Sequence, residues 1–276
     1  MINIITKKAQ ETKGGLVTAS AGTAERTIDA VRFGGKIGEK SAYRIFAKYA
    51  DRAEFRSTHG GQDGEDGSLI GRAGARVDLQ LSDEDTLTFV GDYYRGKFDE
   101  RRITAILSPP FAERKKDDAG ISGGSALLRW DHTFSESSET SLQAYYDRTV
   151  REEIRLDQSI DTIDLDFTHR VRLPRNDVVY GLGYRNVRMD LDGTFAVSFL
   201  PSIRRTDTYS AFVQDEIEIL KDKVYLTLGS KFEYSPYTGF EAQPSARIIG
   251  HPAQGHALWA SVSKAARTAS ASRFTS

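Results

Sequence analysis

The 276-residue sequence contains no cysteine and no long hydrophobic run. Without cysteine it can form neither a disulfide nor a cysteine-based metal site or nucleophile. No stretch approaches the roughly 18 to 20 apolar residues that a membrane-spanning helix needs, so a helical membrane protein is excluded. A formal net charge of -1 provides no basic field for nucleic acid. The composition is compatible with a transmembrane β-barrel, because only alternate residues of its strands face lipid.

What the sequence does contain is hydrophobic alternation with a period of two residues. In residues 69–81 the odd positions include Val77 and Leu79, whereas the even positions include Arg72 and Asp78. This alternation predicts a strand with one apolar and one polar face. The same pattern predicts thirteen strands, many of them long enough to span a membrane. They are residues 15–22, 27–37, 42–51, 69–81, 86–96, 122–134, 140–151, 160–172, 178–190, 205–219, 224–234, 242–250 and 257–265.

The connections between these predicted strands alternate in length from the second junction onward. The tight ones fall at 38–41, 82–85, 135–139, 174–177, 220–223 and 251–256. The intervening ones, mostly longer, fall at 52–68, 97–121, 152–159, 191–204 and 235–241. An up-and-down meander would place the tight turns at one rim and the long loops at the other, as in outer-membrane barrels. A soluble β-sandwich has no reason to separate its loops in this way.

No constellation in the sequence predicts a catalytic residue, a cofactor or a metal ion. The acidic stretch 60–67 lacks the ligand pattern of a calcium loop, and Gly181 and Gly183 lack the third glycine of a dinucleotide-binding turn. The charged residues expected to face a lumen are interpreted as cross-strand pairs of a hydrated wall. The five histidines are scattered, which disfavours a metal site: His59, His132, His169, His251 and His256.

The sequence does not identify the ligand-binding residues. The predicted loop 97–121 combines basic and aromatic side chains that suit contact with an anionic ligand, although such loops are often simply solvated. Its candidate residues are Arg101, Arg102, Pro109, Pro110, Phe111, Arg114, Lys115 and Lys116.

Several runs resemble the TonB-dependent outer-membrane receptors. The opening Ile2-Asn3-Ile4-Ile5-Thr6-Lys7 is similar to the segment that ends the plug domain of that family. Further runs, at residues 209–217, 226–234, 243–247 and 259–268, resemble consecutive barrel strands of the family in the same order.

The resemblance implies an all-β, antiparallel up-and-down transmembrane barrel, of which this sequence would hold about 13 of 22 strands. Residues 1–10 would end the plug domain and residues 11–276 would form a partial barrel, so a fragment of a longer protein is expected. The implied location is the outer membrane of a Gram-negative bacterium. The implied partners are membrane lipid, a ferric siderophore or similar scarce nutrient, and the TonB energising complex acting through the missing plug. Neither nucleic acid nor a cofactor is expected, and the protein would be a transporter rather than an enzyme.

Two alternatives remain open from the sequence. A secreted soluble β-sandwich, acting as an adhesion or carbohydrate-binding module, would bury its apolar stripes between two sheets. A passive porin would span the membrane but would lack the plug-ending segment that Ile2 to Lys7 resembles.

Overall fold

The computed structural model describes residues 6–55, 64–194 and 197–266. The first residues of the plug-like run, His59, residues 60–63 of the acidic stretch and residues 267–268 of the last family-like run lie outside these ranges. No helix in the described part of the chain is long and apolar enough to cross a membrane. A single 3-10 turn, Ala9–Thr12, precedes the first strand.

Thirteen antiparallel strands form one continuous sheet, and their order in the sheet is their order in the chain. The first six are β1 Gly14–Ala21, β2 Glu25–Ile37, β3 Ser41–Arg52, β4 Ser68–Gln80, β5 Asp85–Ala105 and β6 Ala112–Ser135. The others are β7 Ser138–Glu153, β8 Leu156–Arg172, β9 Asn176–Gly193, β10 Ile203–Leu220, β11 Val224–Ser235, β12 Gly239–Ala253 and β13 His256–Ser263. The predicted all-β, up-and-down fold is confirmed. Over the described residues a single sheet replaces the two packed sheets of the alternative β-sandwich.

The tight connections all lie at one end of the sheet, as predicted, and we call this end the tight-turn rim. They are residues 38–40, 81–84, 136–137, 173–175, 221–223 and 254–255. The opposite end of the sheet, the loop rim, carries the connections 22–24, 53–67, 106–111, 154–155, 194–202 and 236–238. These vary from a tight turn to a long loop.

Two of the loops predicted at the loop rim are largely strand, and that part of the prediction is wrong. β5 and β6 stay paired as far as Ala105 and Ala112, which reduces the predicted loop 97–121 to residues 106–111. β7 and β8 stay paired as far as Glu153 and Leu156, which reduces the predicted loop 152–159 to Ile154 and Arg155. These extensions are rich in charge on both faces. A ladder held by backbone hydrogen bonds and ion pairs leaves no hydrophobic alternation to detect.

The large apolar side chains of the sheet lie on its surface. Leu182 is 62% exposed and Ile163 is 45% exposed, whereas the fully or nearly buried apolar residues are mostly alanines, such as Ala42 and Ala119. Soluble proteins rarely expose a contiguous apolar surface of this extent. The distribution of apolar side chains is therefore that of a sheet with one face toward lipid.

Candidate functional site

The apolar face carries an aromatic belt near the tight-turn rim, here called the lower belt. Its members are Trp130, His132, Phe134, His169 and Tyr180. The rings of His132 and Phe134 meet edge to face at 4.4 Å, and those of His169 and Tyr180 lie 5.3 Å apart. The indole Nε1 of Trp130 donates to Asp85 Oδ1 at 2.8 Å, and His132 Nδ1 lies 2.8 Å from the same oxygen. The belt therefore combines apolar rings with satisfied polar atoms, as a membrane interface requires.

A second belt of tyrosines lies on the same face toward the loop rim, here called the upper belt. The Tyr146 hydroxyl donates to Asp161 at 2.6 Å and the Tyr184 hydroxyl donates to Asp207 at 2.8 Å. Around the belts the face is apolar, with Phe89, Leu128, Leu142 and Leu165 exposed. Aromatic belts on an apolar face are typical of a barrel surface that meets lipid. The upper belt comprises Tyr49, Tyr93, Tyr146, Tyr184, Tyr209 and Tyr234.

The polar face carries the predicted charged residues, most of them in ion pairs. Arg185 Nε lies 2.5 Å from Asp164, which is directly opposite on β8. Arg76 and Asp78 instead lie two residues apart on β4 and pair at 2.9 Å. The prediction of paired lumenal charges is therefore confirmed, but several pairs form along one strand rather than across two. Further pairs of this face are Arg72–Asp92, Arg129–Asp131 and Lys231–Glu233.

The N-terminal segment 6–12 lies against the polar face of β2, β3 and β4. The Ala9 amide donates to Asp78 Oδ2 at 2.7 Å, and Arg76 Nη1 donates to Thr6 Oγ1 at 3.1 Å. Arg44 Nη1 donates to the Lys7 carbonyl at 3.1 Å. Ala9 is fully buried in this contact. Charged side chains of the wall thus hold the segment through two backbone groups, at Lys7 and Ala9, and through the side chain of Thr6.

A close approach of backbone to backbone completes this docking. A Cβ atom placed on Gly34 of β2 would lie 2.4 Å from the Thr12 carbonyl oxygen. Thr12 is 4% exposed. Glycine at position 34 is therefore needed for the segment to lie this close to the wall.

At the loop rim, β5 and β6 extend as a charged hairpin, residues 99–118, here called the outer hairpin. Its register places like charges opposite each other: Asp99 faces Asp118, Glu100 faces Asp117, Arg101 faces Lys116 and Arg102 faces Lys115. Like charges directly opposite each other destabilise a ladder unless other groups neutralise them. Burial, together with hydrogen bonding to Asp118, raises the pKa of Asp99.

Neighbouring elements supply the neutralising groups. From the connection between β3 and β4, Glu65 pairs with Arg101, and Glu54 lies 3.7 Å from Lys116. The hydrogen bond from Arg101 lowers the pKa of Glu65. On the other side of the hairpin, Asp117 accepts from the Ile154 amide at 2.7 Å. The outer hairpin is thus clamped between two neighbouring connections.

The structure brings together part of the predicted ligand-contacting set. Two consecutive residue pairs of the outer hairpin are entirely basic: Arg101 with Lys116, and Arg102 with Lys115. Phe111 is 62% exposed at the tip of the hairpin. Sequence reasoning did not identify Glu54 and Glu65 as partners of this hairpin, and no local pattern marks them. His132 and His169 belong to the lower belt, while His251 lies against Tyr225 at 6.5 Å. Over the described ranges no group of three or more His, Cys, Asp or Glu residues could hold a metal ion.

Comparisons with known proteins agree with this architecture. Residues 18–276 match the family model described as TonB dependent receptor-like, beta-barrel. A search among curated proteins found no match to the sequence.

The solved structures to which the chain is similar include three siderophore or ferric-catecholate receptors. The ferric-catecholate import receptor Fiu from E. coli K12 superposes with a TM-score of 0.75 at 11% identity, covering 95% of this chain and 51% of Fiu. The siderophore receptor PirA from Acinetobacter baumannii gives 0.69 at 15% identity, covering 90% of this chain and 42% of PirA. PirA from Pseudomonas aeruginosa gives 0.66 at 12% identity, covering 90% and 41%. The chain thus spans about half the length of these structures or less, and at such identities the likeness shows the fold.

Proposed function

This chain belongs to the TonB-dependent receptor-like β-barrel family, and from that premise we propose that it forms part of the wall of an outer-membrane transporter. The transporter would import a ferric siderophore or a similar scarce nutrient, using energy supplied through a TonB complex. The observation that carries this proposal is the sheet with an apolar, double-belted outer face and a charged inner face. That arrangement lets lipid meet one side and water the other.

We further propose that residues 1–10 end a plug domain and that residues 11–276 belong to the barrel. The docking of segment 6–12 on the polar face of β2 to β4 supports this division, because a plug must enter the lumen next to the first barrel strands. The hydrogen bonds that join the segment to Asp78 and Arg76 would tether the plug to the wall at this point.

The outer hairpin is the part of this chain proposed to meet the ligand. Ferric catecholate chelates are anionic, because doubly deprotonated catecholates outweigh the charge of the iron, and Arg and Lys side chains attract such ligands by charge and hydrogen bonding. Arg102 and Lys115 lie on the side of the hairpin that continues the polar face, so they would line the entrance to the lumen.

Uptake of radiolabelled iron tests the proposal. The full-length receptor would be produced in a strain that lacks its own siderophore receptors, with and without a functional TonB. A panel of ferric catecholates and hydroxamates would be supplied. We expect accumulation of at least one chelate, and we expect its loss without TonB or after addition of a proton uncoupler. Equal accumulation with and without TonB would instead identify a passive channel.

The role of the outer hairpin can be tested in the same assay. Replacing either Arg102 or Lys115 singly by serine should weaken capture of the transported chelate and raise the concentration needed for half-maximal uptake. Arg114→Ser is the matched control, because Arg114 lies on the opposite side of the same hairpin. An equal effect of Arg114→Ser would contradict a specific contact.

A further inference from the structure

We propose that the transported ligand carries an acyl chain and that this chain lies on an aliphatic strip of the polar face. The strip, here called the inner strip, consists of Ile160, Val187, Met189 and Leu191. This inference rests on the proposed function, because that function fills the polar side of the sheet with water and brings the ligand to it from the loop rim.

The inner strip lies on the face of β8 and β9 that carries the ion pairs. Arg185 pairs with Asp164 on this face, and the next three positions of β9 that point the same way belong to the inner strip. Ile160 on β8 lies directly opposite Met189. Because β8 and β9 pair here without a register shift, no bulge turns these side chains toward the apolar face. An aliphatic surface therefore lies on the side of the sheet that meets water, where leaving it uncovered is unfavourable.

The connection between β9 and β10 folds inward over the upper end of the inner strip. Gly193 continues the inward positions of β9, and a Cβ atom placed on it would collide with the Val197 carbonyl oxygen. The Leu191 amide donates to the Ser202 carbonyl at 3.0 Å, and Leu191 is 7% exposed. Leu200 of the same connection is 94% exposed. The connection therefore shelters one end of the strip and presents a further aliphatic side chain at the loop rim.

The docked segment 6–12 lies at the other end of the sheet. Its Ala9 amide bonds to Asp78, two residues from the end of β4 at the tight-turn rim, whereas Leu191 is two residues from the end of β9 at the loop rim. Val187 lies three residues beyond Tyr184 of the upper belt, again toward the loop rim. A ligand that arrives at the loop rim therefore meets the inner strip at the end of the sheet opposite to the docked segment.

A hydrocarbon chain fits the shape and the chemistry of the inner strip. Val187 to Leu191 covers roughly 13 Å along β9 at about 3.3 Å per residue, and Ile160 widens the strip to a second strand. All four side chains are apolar and none is aromatic, so they suit an extended chain better than a stacked ring. Arg204 on β10 lies directly opposite Met189. A cationic group thus borders the strip, which suits an anionic head group attached to the chain.

Equilibrium binding to the full-length receptor in lipid nanodiscs tests the assignment. The probes are a ferric catecholate and the same chelate with a decanoyl chain, and a fluorophore on Thr206→Cys, opposite Val187 on the polar face, reports binding. We expect the decanoyl chelate to bind about tenfold more tightly than the parent chelate, because each buried methylene group favours binding. Val187→Gln should reduce this preference to about threefold or less. The matched control Val179→Gln, on the same face of β9 near the tight-turn rim, should preserve it.

Several results would overturn the proposal. One is the absence of a response to the decanoyl chelate, or equal affinities for the two chelates. Another is an equal effect of Val187→Gln and Val179→Gln. A Met189→Cys variant that stays unreactive toward a water-soluble maleimide without ligand would show that the plug covers the strip. Folding of each variant would be verified by the heat-dependent mobility shift of intact barrels on gels. Because the binding assay involves neither TonB nor transport, its failure is separate from a failure of TonB-dependent uptake.

Discussion

Leu127 and Leu128 on β6 offer a direct test of which face of the sheet meets lipid. The two residues are adjacent and chemically identical, yet alternation places them on opposite faces. Leu128 is 46% exposed on the apolar face and pairs with Phe89 and Ala144. Leu127 lies on the polar face, opposite Val90 and Tyr145.

The expected magnitude follows from the position of Leu128 between the belts. Trp130 of the lower belt lies two residues away on the same strand. In the other direction Ala126 is also two residues away, and it lies opposite Tyr146 of the upper belt. An arginine near the middle of a bilayer destabilises a barrel by about 2–4 kcal/mol. Leu128→Arg should therefore increase the equilibrium constant for unfolding by a factor of roughly 30 to 900. Leu127→Arg, which places its charge toward water, should cost less than about 1.5 kcal/mol.

The assay is reversible urea unfolding of the full-length receptor in lipid vesicles, followed by tryptophan fluorescence. Comparable costs for the two variants would refute the assignment of faces, and a larger cost for Leu127→Arg would reverse it.

Three further predictions concern the docked segment and the outer hairpin. Asp78→Asn replaces the carboxylate that accepts a hydrogen bond from the Ala9 amide. Because hydrogen bonds to charged groups contribute about 1.5–3 kcal/mol, exchange of this amide with deuterium should accelerate by roughly ten- to a hundredfold. Gly34→Ala places a methyl group against the Thr12 carbonyl oxygen and should expose segment 6–12 to protease, whereas Gly15→Ala, which meets nothing within 4 Å, should not. The raised pKa of Asp99 means that its pairing with Asp118 favours the outer hairpin at low pH. That contribution should be lost as the pH rises from the ordinary value near 3.9 through the raised pKa, and Asp99→Asn should remove this dependence in hydrogen exchange corrected for intrinsic rates.

The strands of the sheet could be predicted from sequence because lipid and water impose a strict alternation on each of them. In β4, for example, Val77 and Leu79 alternate with Asp78 and Arg76, and the predicted strand 69–81 differs from the observed Ser68–Gln80 by one residue at each end. The same reasoning failed in the outer hairpin, where water surrounds both faces and charged residues occupy every position from 99 to 102.

The contacts of the candidate site depend on register, which a single sequence does not specify. His132 and His169 are distant in the chain, and only the pairing of β6, β7 and β8 brings both into the lower belt. The bond between Ala9 and Asp78 joins a backbone amide to a carboxylate 69 residues away. Because every residue except proline offers such an amide, no sequence motif identifies the donor.

The most direct test of the central claim is a spin-label scan along β8 in the full-length receptor reconstituted in lipid vesicles. The absence of cysteine allows single cysteines to be introduced and labelled from residue 163 to residue 168. Labels at Ile163, Leu165 and Phe167 should collide preferentially with oxygen dissolved in lipid, and labels at Asp164, Asp166 and Thr168 with a water-soluble nickel complex. Alternation in the opposite phase, or no alternation at all, would contradict a wall with lipid on one face and water on the other.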